Sequence, residues 1–376
     1  MQKQRILSAD NSYADLDQYL SEIKVKNIFF VCGNSAEKLN IGHYFQQLCK
    51  RMGINMVQFS DFSPNPCYES VVRGVRLFNE NDCDSIIALG GGSAIDVAKC
   101  IKLYSRMNPE KSYLMQEIIP NTIPLIAVPT TAGTGSEATK YAVIYDKGNK
   151  QSVTSESCIP QAVLFDPGTL DSLPEYHRKA AMLDALCHAI ESYWSVNATA
   201  ESQEYAKRAI RLIMENKDAY LAGQNFAERK SINMNMLNAA FFAGKAINLT
   251  QTTAGHAMCY KLTALYGIAH GHAAALCVEK LWPFMLDHVD ECVDVRGISY
   301  LEQVFHSIAD AMGCADAYDA AKAFSDLLHS LALPVPKASE KDYEVLRKSV
   351  NPVRLKNHPI RLTEEQFDML YHQIVQ

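Results

Sequence analysis

Along the chain, apolar and polar positions fall into two textures. In the first, short apolar runs alternate with amphipathic stretches. Asn27–Cys32 (NIFFVC) reads as a buried strand, followed by Gly33-Asn34. A helical pattern runs from about residue 36 to residue 52, and Asn55–Phe59 is a second strand. A turn at Ser63-Pro64-Asn65-Pro66 leads to a helix over Glu69–Asn79 and a third strand, Ser85–Leu89. Ile123–Val128 and Gln161–Asp166 read as further strands. Strands that are apolar throughout, alternating with helices, predict a parallel sheet covered on both faces. From about Pro174 the texture changes: Ala, Leu and Met recur at helical spacing to the end, and strand patterns fade. The expectation is an α/β nucleotide-binding domain over residues 1–173 and an all-α domain over 174–376, with a ligand cleft between them.

Composition narrows the class. The 376 residues are 48% hydrophobic and 21% charged, enough for a sizeable core. A net charge of −6 gives no general reason to bind nucleic acid. No apolar run reaches the ~18 residues of a membrane helix, and Met1-Gln2-Lys3-Gln4-Arg5 opens no signal core. The eleven cysteines include no CxxC pair. Reduced thiols in a cytoplasmic protein, without nucleic-acid or membrane partners, are expected.

Two loops carry candidate anion chemistry. Strand Ser85–Leu89 runs into Gly90-Gly91-Gly92-Ser93 and then a helix from about Ala94. Glycines at such a turn let a phosphate approach the free N–H groups at the helix start. The pattern is neither GxGxxG nor a P-loop. Strand Ile123–Val128 ends in Pro129 and a run from Thr130 to Ser136 in which every residue but Ala132 is a glycine or carries a hydroxyl. Both loops follow carboxyl ends of strands, where ligands bind in open α/β sheets. Gly133-Thr134-Gly135-Ser136-Glu137 lacks the GxSxG spacing of a hydrolase elbow.

A third pattern concerns a metal. Asp184 and His188 stand four residues apart in a helical stretch and so share one face, among apolar neighbours. A charged aspartate there needs a partner. Downstream, His256, His270 and His272 fall within seventeen residues. One carboxylate with two or three imidazoles suits Fe(II) or Zn(II), with room left for a substrate oxygen.

These segments together resemble the iron-containing (group III) alcohol dehydrogenases, which share the dehydroquinate synthase-like fold. Gly90 through Lys99, Pro129 through Glu137, and Asp184-Ala185-Leu186-Cys187-His188-Ala189-Ile190-Glu191 carry the likeness, with His256 and His270 at the family's spacing. The resemblance implies Asp184, His188, His256 and His270 as ligands of Fe(II), or of Zn(II) in its place. It implies a cofactor site for NADP(H) or NAD(H) built from Gly33, Gly90, Gly91, Gly92, Ser93, Asp96, Thr130, Thr131, Thr134, Ser136 and Lys150, and a homodimer. Two positions depart from the family's pattern. Tyr260 replaces a histidine that relays a proton in many relatives, so Tyr260 and His272 are the expected catalytic side chains. Gly33 replaces the aspartate that excludes a 2′-phosphate in NAD-selective relatives.

The expected reaction is hydride transfer between NAD(P)H and a small aldehyde/alcohol pair. A dehydroquinate synthase-like lyase and a general short-chain alcohol dehydrogenase are the alternatives. The stretch Asn351–Arg361 gathers Arg354, Lys356, His358 and Arg361. With the His256–His272 segment it resembles a branch whose members look like phosphonoacetaldehyde reductases. Lys261, Arg354 and Lys356 are therefore the expected contacts to an anionic substrate tail.

Overall fold

The computed structural model describes residues 4–9, 12–222, 226–350 and 352–375. Met1–Lys3 and Asn351, used above, lie outside them. Eight strands are present among the described residues: β1 (Arg5–Ser8), β2 (Asn27–Cys32), β3 (Asn55–Phe59), β4 (Ser85–Gly90), β5 (Leu125–Pro129), β6 (Tyr141–Asp146), β7 (Asn149–Thr154) and β8 (Ala162–Phe165). Helices α1 (Ala14–Glu22), α2 (Asn40–Met52), α3 (Tyr68–Glu80) and α4 (Gly92–Tyr104) accompany them. The helical half comprises α5 (Glu175–Trp194), α6 (Ala200–Ala222), α7 (Phe226–Thr250), α8 (Ala254–Tyr266), α9 (His270–Asp287), α10 (Ile298–Met312), α11 (Ala317–Ser330), α12 (Glu340–Lys348), α13 (Pro352–Leu355) and α14 (Glu364–Ile374).

By its packing the chain divides into two compact units. One comprises Met1–Thr131, Gly135–Leu173 and Phe226–Leu237; the other comprises Ala132–Thr134, Pro174–Asn225 and Asn238–Gln376. Two stretches are thus exchanged across the Leu173-Pro174 point. Asn233 shows why the start of α7 sides with the sheet: its buried amide donates to Pro167 O and Asp171 Oδ1, both at 2.9 Å.

In the first unit six strands form a parallel sheet in the order β1-β8-β5-β4-β2-β3. The pleat sends alternate side chains to opposite faces. Ile28, Phe30 and Cys32 join one apolar core with residues of α1 and α2, while Phe29 and Val31 join another with residues of α3 and α4. Covering both faces is what makes the strand runs continuously apolar. The chain winds one way from β2 to β3 and the other way from β4 onward, so the order reverses between β2 and β4. Gly33 follows one of these strands and the Gly90–Gly92 turn ends the other, both at the crevice where such sheets bind ligands.

Several boundaries differ from the pattern reading. The first helix is broken: Ala36–Lys38 forms a 3₁₀ turn, Leu39 is extended and buried, and α2 begins at Asn40. Helix α4 begins at Gly92, two residues early, because Gly91 caps it and accepts from Ala94 N and Ile95 N. The β6–β7 hairpin and β1 are additions. Only Val153 of β7 and Leu7 of β1 are buried, so neither strand has an apolar pattern to read. Lys147 and Gly148, both at positive φ, close the hairpin in the primed turn that matches strand twist.

The two ligand-type loops are stapled by buried charge. Lys99 on α4 is fully buried, and its ammonium donates to the carbonyls of Ser136 (2.6 Å), Tyr141 (2.7 Å) and Thr139 (2.8 Å). Asp96, one turn earlier, accepts from Ser136 Oγ at 2.6 Å and from Val143 N at 3.0 Å. Burial lowers the Lys99 pKa, with Asp96 opposing. Replacing Lys99 by Met leaves these carbonyls without a donor. It should cost on the order of 3 kcal/mol and lower the unit's thermal midpoint by roughly 6–12 °C. Thermal unfolding followed by circular dichroism checks this; an unchanged midpoint refutes the staple.

Candidate metal centre

Three helices of the second unit carry the predicted ligands: α5 holds Asp184 and His188, α8 holds His256, and the first turn of α9 holds His270. Two glycines let these helices touch. A Cβ on Gly271 would stand 2.5 Å from Asp184 Cβ and 2.8 Å from Asp184 N, and closer still to the Ala180 carbonyl oxygen. A Cβ on Gly255 would meet Val278 Cγ2 at 2.7 Å and Glu191 Oε1 at 3.1 Å. Each glycine adjoins a predicted ligand, so backbone contact sets the ligand spacing.

Asp184, His256 and His270 each offer one donor atom, and these atoms all lie within 4.8 Å of one another. His188 adjoins this cluster: its Nε2 is 3.9 Å from Asp184 Oδ1, and its ring stacks on His256 with centroids 4.5 Å apart. His256 Nε2 is 3.6 Å from the same Asp184 oxygen. Asp184 Oδ1 and His256 Nε2 are buried and lack hydrogen-bond partners. Two inward-facing donors left unanswered in a closed pocket are what a metal ion would satisfy. One carboxylate oxygen with imidazole nitrogens is a donor set that fits Fe(II) or Zn(II).

Glu191, which the sequence reading quoted but gave no role, completes the arrangement. It lies one turn beyond His188 on the face of Asp184 and is fully buried. Its Oε2 accepts from His256 Nδ1, and its Oε1 accepts from Thr253 Oγ1 at 2.6 Å and Thr253 N at 3.1 Å. A proton fixed at Nδ1 leaves Nε2 to face Asp184, as second partners of ligand histidines do. The spacing of 184, 188 and 191 was visible; the contact to a helix 65 residues on was not. Cys259 Sγ lies 3.7 Å from His270 Nδ1.

Electrostatics follow the same partners. Burial alone would lift the Asp184 carboxyl, but His188, His256 and His270 hold it far below the usual range. Burial likewise opposes charge on Glu191, which His256 and Thr253 nonetheless bring down to about 2. His256 resists charging by burial, yet Glu191 and Asp184 raise it to about 10. Burial pushes His188 down to about 4 against the pull of Asp184.

The other predicted residues are distributed as follows. The Tyr260 ring lies flat against His270, centroids 5.7 Å apart. His272 is fully buried and pushed down to about 4 by burial. Tyr176 Oη accepts from Ala269 N at 2.8 Å and meets His272 Nδ1 at 3.2 Å. The contact holds the ring of His272, whose Nε2 is buried and without a partner. In the first unit, Gly33, Gly90–Gly92, Ser93, Thr130 and Thr131 stand at strand carboxyl ends or in the turns after them, while Asp96 and Ser136 bond to each other. Thr134 lies in the loop after β5, within the stretch that packs with the second unit. Lys150 lies on β7 opposite Tyr145. Lys261 follows Tyr260 on α8, and Arg354 lies on α13, which packs against α8. Lys356 is exposed, beyond α13, and shares a cavity wall with His358 and Arg361.

A parallel sheet with glycine-rich turns at its switch point, followed by a helical unit holding buried aspartate and histidines, is the plan of a metal-assisted dehydrogenase. Family comparison gives the same class. Residues 3–167 match the iron-containing alcohol dehydrogenase model and residues 179–375 match the C-terminal model of the Fe-containing alcohol dehydrogenases. The chain belongs to the iron-containing alcohol dehydrogenase family and is an oxidoreductase. It is 29% identical to the phosphonoacetaldehyde reductase of Streptomyces viridochromogenes, over 80% of this chain and 79% of that one. It is 30% identical to alcohol dehydrogenase 4 of Schizosaccharomyces pombe, over 85% of this chain and 75% of that one. The sulfoacetaldehyde reductase of Bifidobacterium kashiwanohense, solved with NAD+, shares the fold: TM-score 0.87, 24% identity, covering 100% of this chain and 98% of that one.

Replacing Glu191 by Gln keeps the shape but removes the charge that orients His256. Iron retained after dialysis should fall by about 10–100-fold in affinity, with turnover falling alongside and the far-UV spectrum unchanged. Full iron retention by the variant would show that Glu191 does not support the ligand.

Proposed function

We propose that the enzyme reduces a short aldehyde carrying an anionic tail, phosphonoacetaldehyde being the first candidate, with a nicotinamide dinucleotide as hydride donor. The observation that carries the reading is the pair of buried, unanswered donors, Asp184 Oδ1 and His256 Nε2, within the Asp184–His256–His270 cluster. In this proposal Asp184, His188, His256 and His270 hold Fe(II), or Zn(II) in its place. A divalent ion there supplies Lewis acidity, and the nicotinamide supplies hydride. The chain's own residues do the rest. The start of α4, from Gly90 to Ser93, with Thr130, Thr131 and Lys150, binds the dinucleotide. Tyr260 Oη and His272 are the candidate donors to the product oxygen, with Tyr176 holding the His272 ring. We also propose a homodimer in the cytoplasm; among the described residues no helix is long and apolar enough to cross a membrane, and all eleven cysteines are free thiols.

The anionic tail rests on Lys261 and Arg354. Neither makes an ion pair among the described residues, and α13 places Arg354 beside the helix of His256 and Tyr260. The likeness to a phosphonoacetaldehyde reductase supports the same substrate class. Arg354→Ala should raise KM for phosphonoacetaldehyde by about tenfold or more and leave propanal within about twofold, since only the former loses a charge-assisted bond. Equal effects on both aldehydes, or a wild-type preference for propanal, return the enzyme to general short-chain alcohol chemistry.

Cofactor choice turns on Gly33. No atom lies within 4 Å of a Cβ built there, so an aspartate fits without strain. The wild type should accept NADPH, and Gly33→Asp should shift the kcat/KM ratio toward NADH by about tenfold, through repulsion of the 2′-phosphate. Parallel kinetics with both cofactors decide this. A wild type that already prefers NADH by about a hundredfold defeats it.

A further inference from the structure

Outside the metal centre, the second unit holds a cavity of about 270 Å3 whose polar wall is Lys356, His358 and Arg361. Its remaining lining is apolar: Val293, Leu355, Ile360 and Leu362. No acidic side chain lines it. Lys356 and Arg361 make no ion pair among the described residues. His358 is 2% exposed, and neither ring nitrogen has a hydrogen-bond partner. A buried imidazole with both nitrogens unanswered is costly unless something answers it.

The walls are built, not draped. Cys292 and Ile360 form an antiparallel bridge, Val293 N donates to Pro359 O at 2.8 Å, and Arg361 N donates to Glu291 O at 3.2 Å. On the other side Asn357 is held at three points. Its amide donates to Thr252 O at 3.1 Å, its side-chain oxygen accepts from Asn197 Nδ2 at 2.8 Å, and its carbonyl accepts from Val196 N at 3.0 Å. The cavity is therefore formed before any ligand arrives, which removes the ordering cost of binding.

We propose that this cavity is an anion-binding site for a phosphate- or phosphonate-type oxyanion bearing a short hydrocarbon part, separate from the seat of the aldehyde. Arg361 and Lys356 supply charge at the mouth, and His358 supplies an N–H at the base. The apolar lining takes the carbon chain. The separation follows from the neighbours of His358. Asn357, beside His358, donates to Thr252 O at 3.1 Å, next to Thr253, whose hydroxyl donates to Glu191. Glu191 grips the Nδ1 edge of His256, opposite the Nε2 edge that faces Asp184. None of Asp184, His188, His256 and His270 lines the cavity, nor does Arg354.

The test is calorimetric titration of the metal-loaded enzyme, without aldehyde, with ethylphosphonate, inorganic phosphate and acetate at one ionic strength. Ethylphosphonate should bind one per chain beyond any molecule at the seat of the aldehyde, a few-fold tighter than phosphate and about tenfold tighter than acetate. Arg361→Ala and His358→Leu should each weaken it by about tenfold, while Arg361→Ala keeps propanal turnover within about twofold. In Arg354→Ala this binding should persist at one per chain, whether or not ethylphosphonate also occupies the seat of the aldehyde. Absence of binding, acetate binding as tightly as ethylphosphonate, or phosphate binding more tightly than ethylphosphonate overturns the proposal. So does affinity untouched by Arg361→Ala, or all ethylphosphonate binding lost in Arg354→Ala. The last result would place the anion in the catalytic space and so speak for the substrate reading while refuting this one.

Discussion

Asp184 and Glu191 are two carboxylates buried on one face of a single helix, and the charges that answer them organise the helical unit. Each ionised carboxylate in an apolar interior costs several kcal/mol unless paired and hydrogen-bonded. Glu191 is answered from one direction, by the start of α8, through Thr253 and both His256 nitrogen donors, Nδ1 and the backbone N–H. Asp184 faces the other edge of the same imidazole. His256 is therefore clamped between two acids, Glu191 at its Nδ1 and Asp184 beside its Nε2. That arrangement cannot be relaxed locally. Removing either acid leaves a buried partner with the wrong charge, so the geometry of the centre is over-determined before an ion is considered.

The same logic recurs in the sheet unit with different groups. Lys99 is as deeply buried as Glu191, but its partners are mainly backbone carbonyls of the loop after β5 and the start of β6. A buried ammonium with three carbonyls ties the helix after the glycine turn to the loop after the neighbouring strand. The two turns that lie at the carboxyl ends of adjacent strands are thus fixed by one buried side chain. Asp96 and Ser136, read from sequence as cofactor contacts, spend their polar atoms on this internal tie. Their side chains thereby tie the two turns to each other.

How much of this was legible depended on the range of the interaction. The strands β2, β4, β5 and β8 carry apolar residues on both faces, a local pattern that sequence displays directly. Asp184 and His188 share a helix face, which is also a local fact. Glu191 was equally visible at the next turn, yet its role depends on Thr253 and His256, and no periodicity links helices that far apart. The hairpin escaped for the opposite reason. Its second strand, Asn149–Thr154, buries one side chain and is held by pairing with β6, so its pattern is that of a polar loop. Tyr176 was read only as part of a helical stretch, because its bond to His272 crosses 96 residues.

The basic stretch near the C-terminus shows how proximity in sequence can mislead about chemistry. Arg354, Lys356, His358 and Arg361 read as one cluster, and a single anionic ligand was the natural inference. Asn357 divides them. Its side chain and carbonyl are fixed to the segments after α5 and before α8, and the chain changes course there. Arg354 belongs to the short helix against α8. Lys356, His358 and Arg361 surround a cavity that Arg354 does not reach. One run of positive charge therefore serves two places. The buried imidazole sets the second place apart: Arg354 is half-buried beside α8, whereas His358 is almost fully buried with both ring nitrogens unanswered.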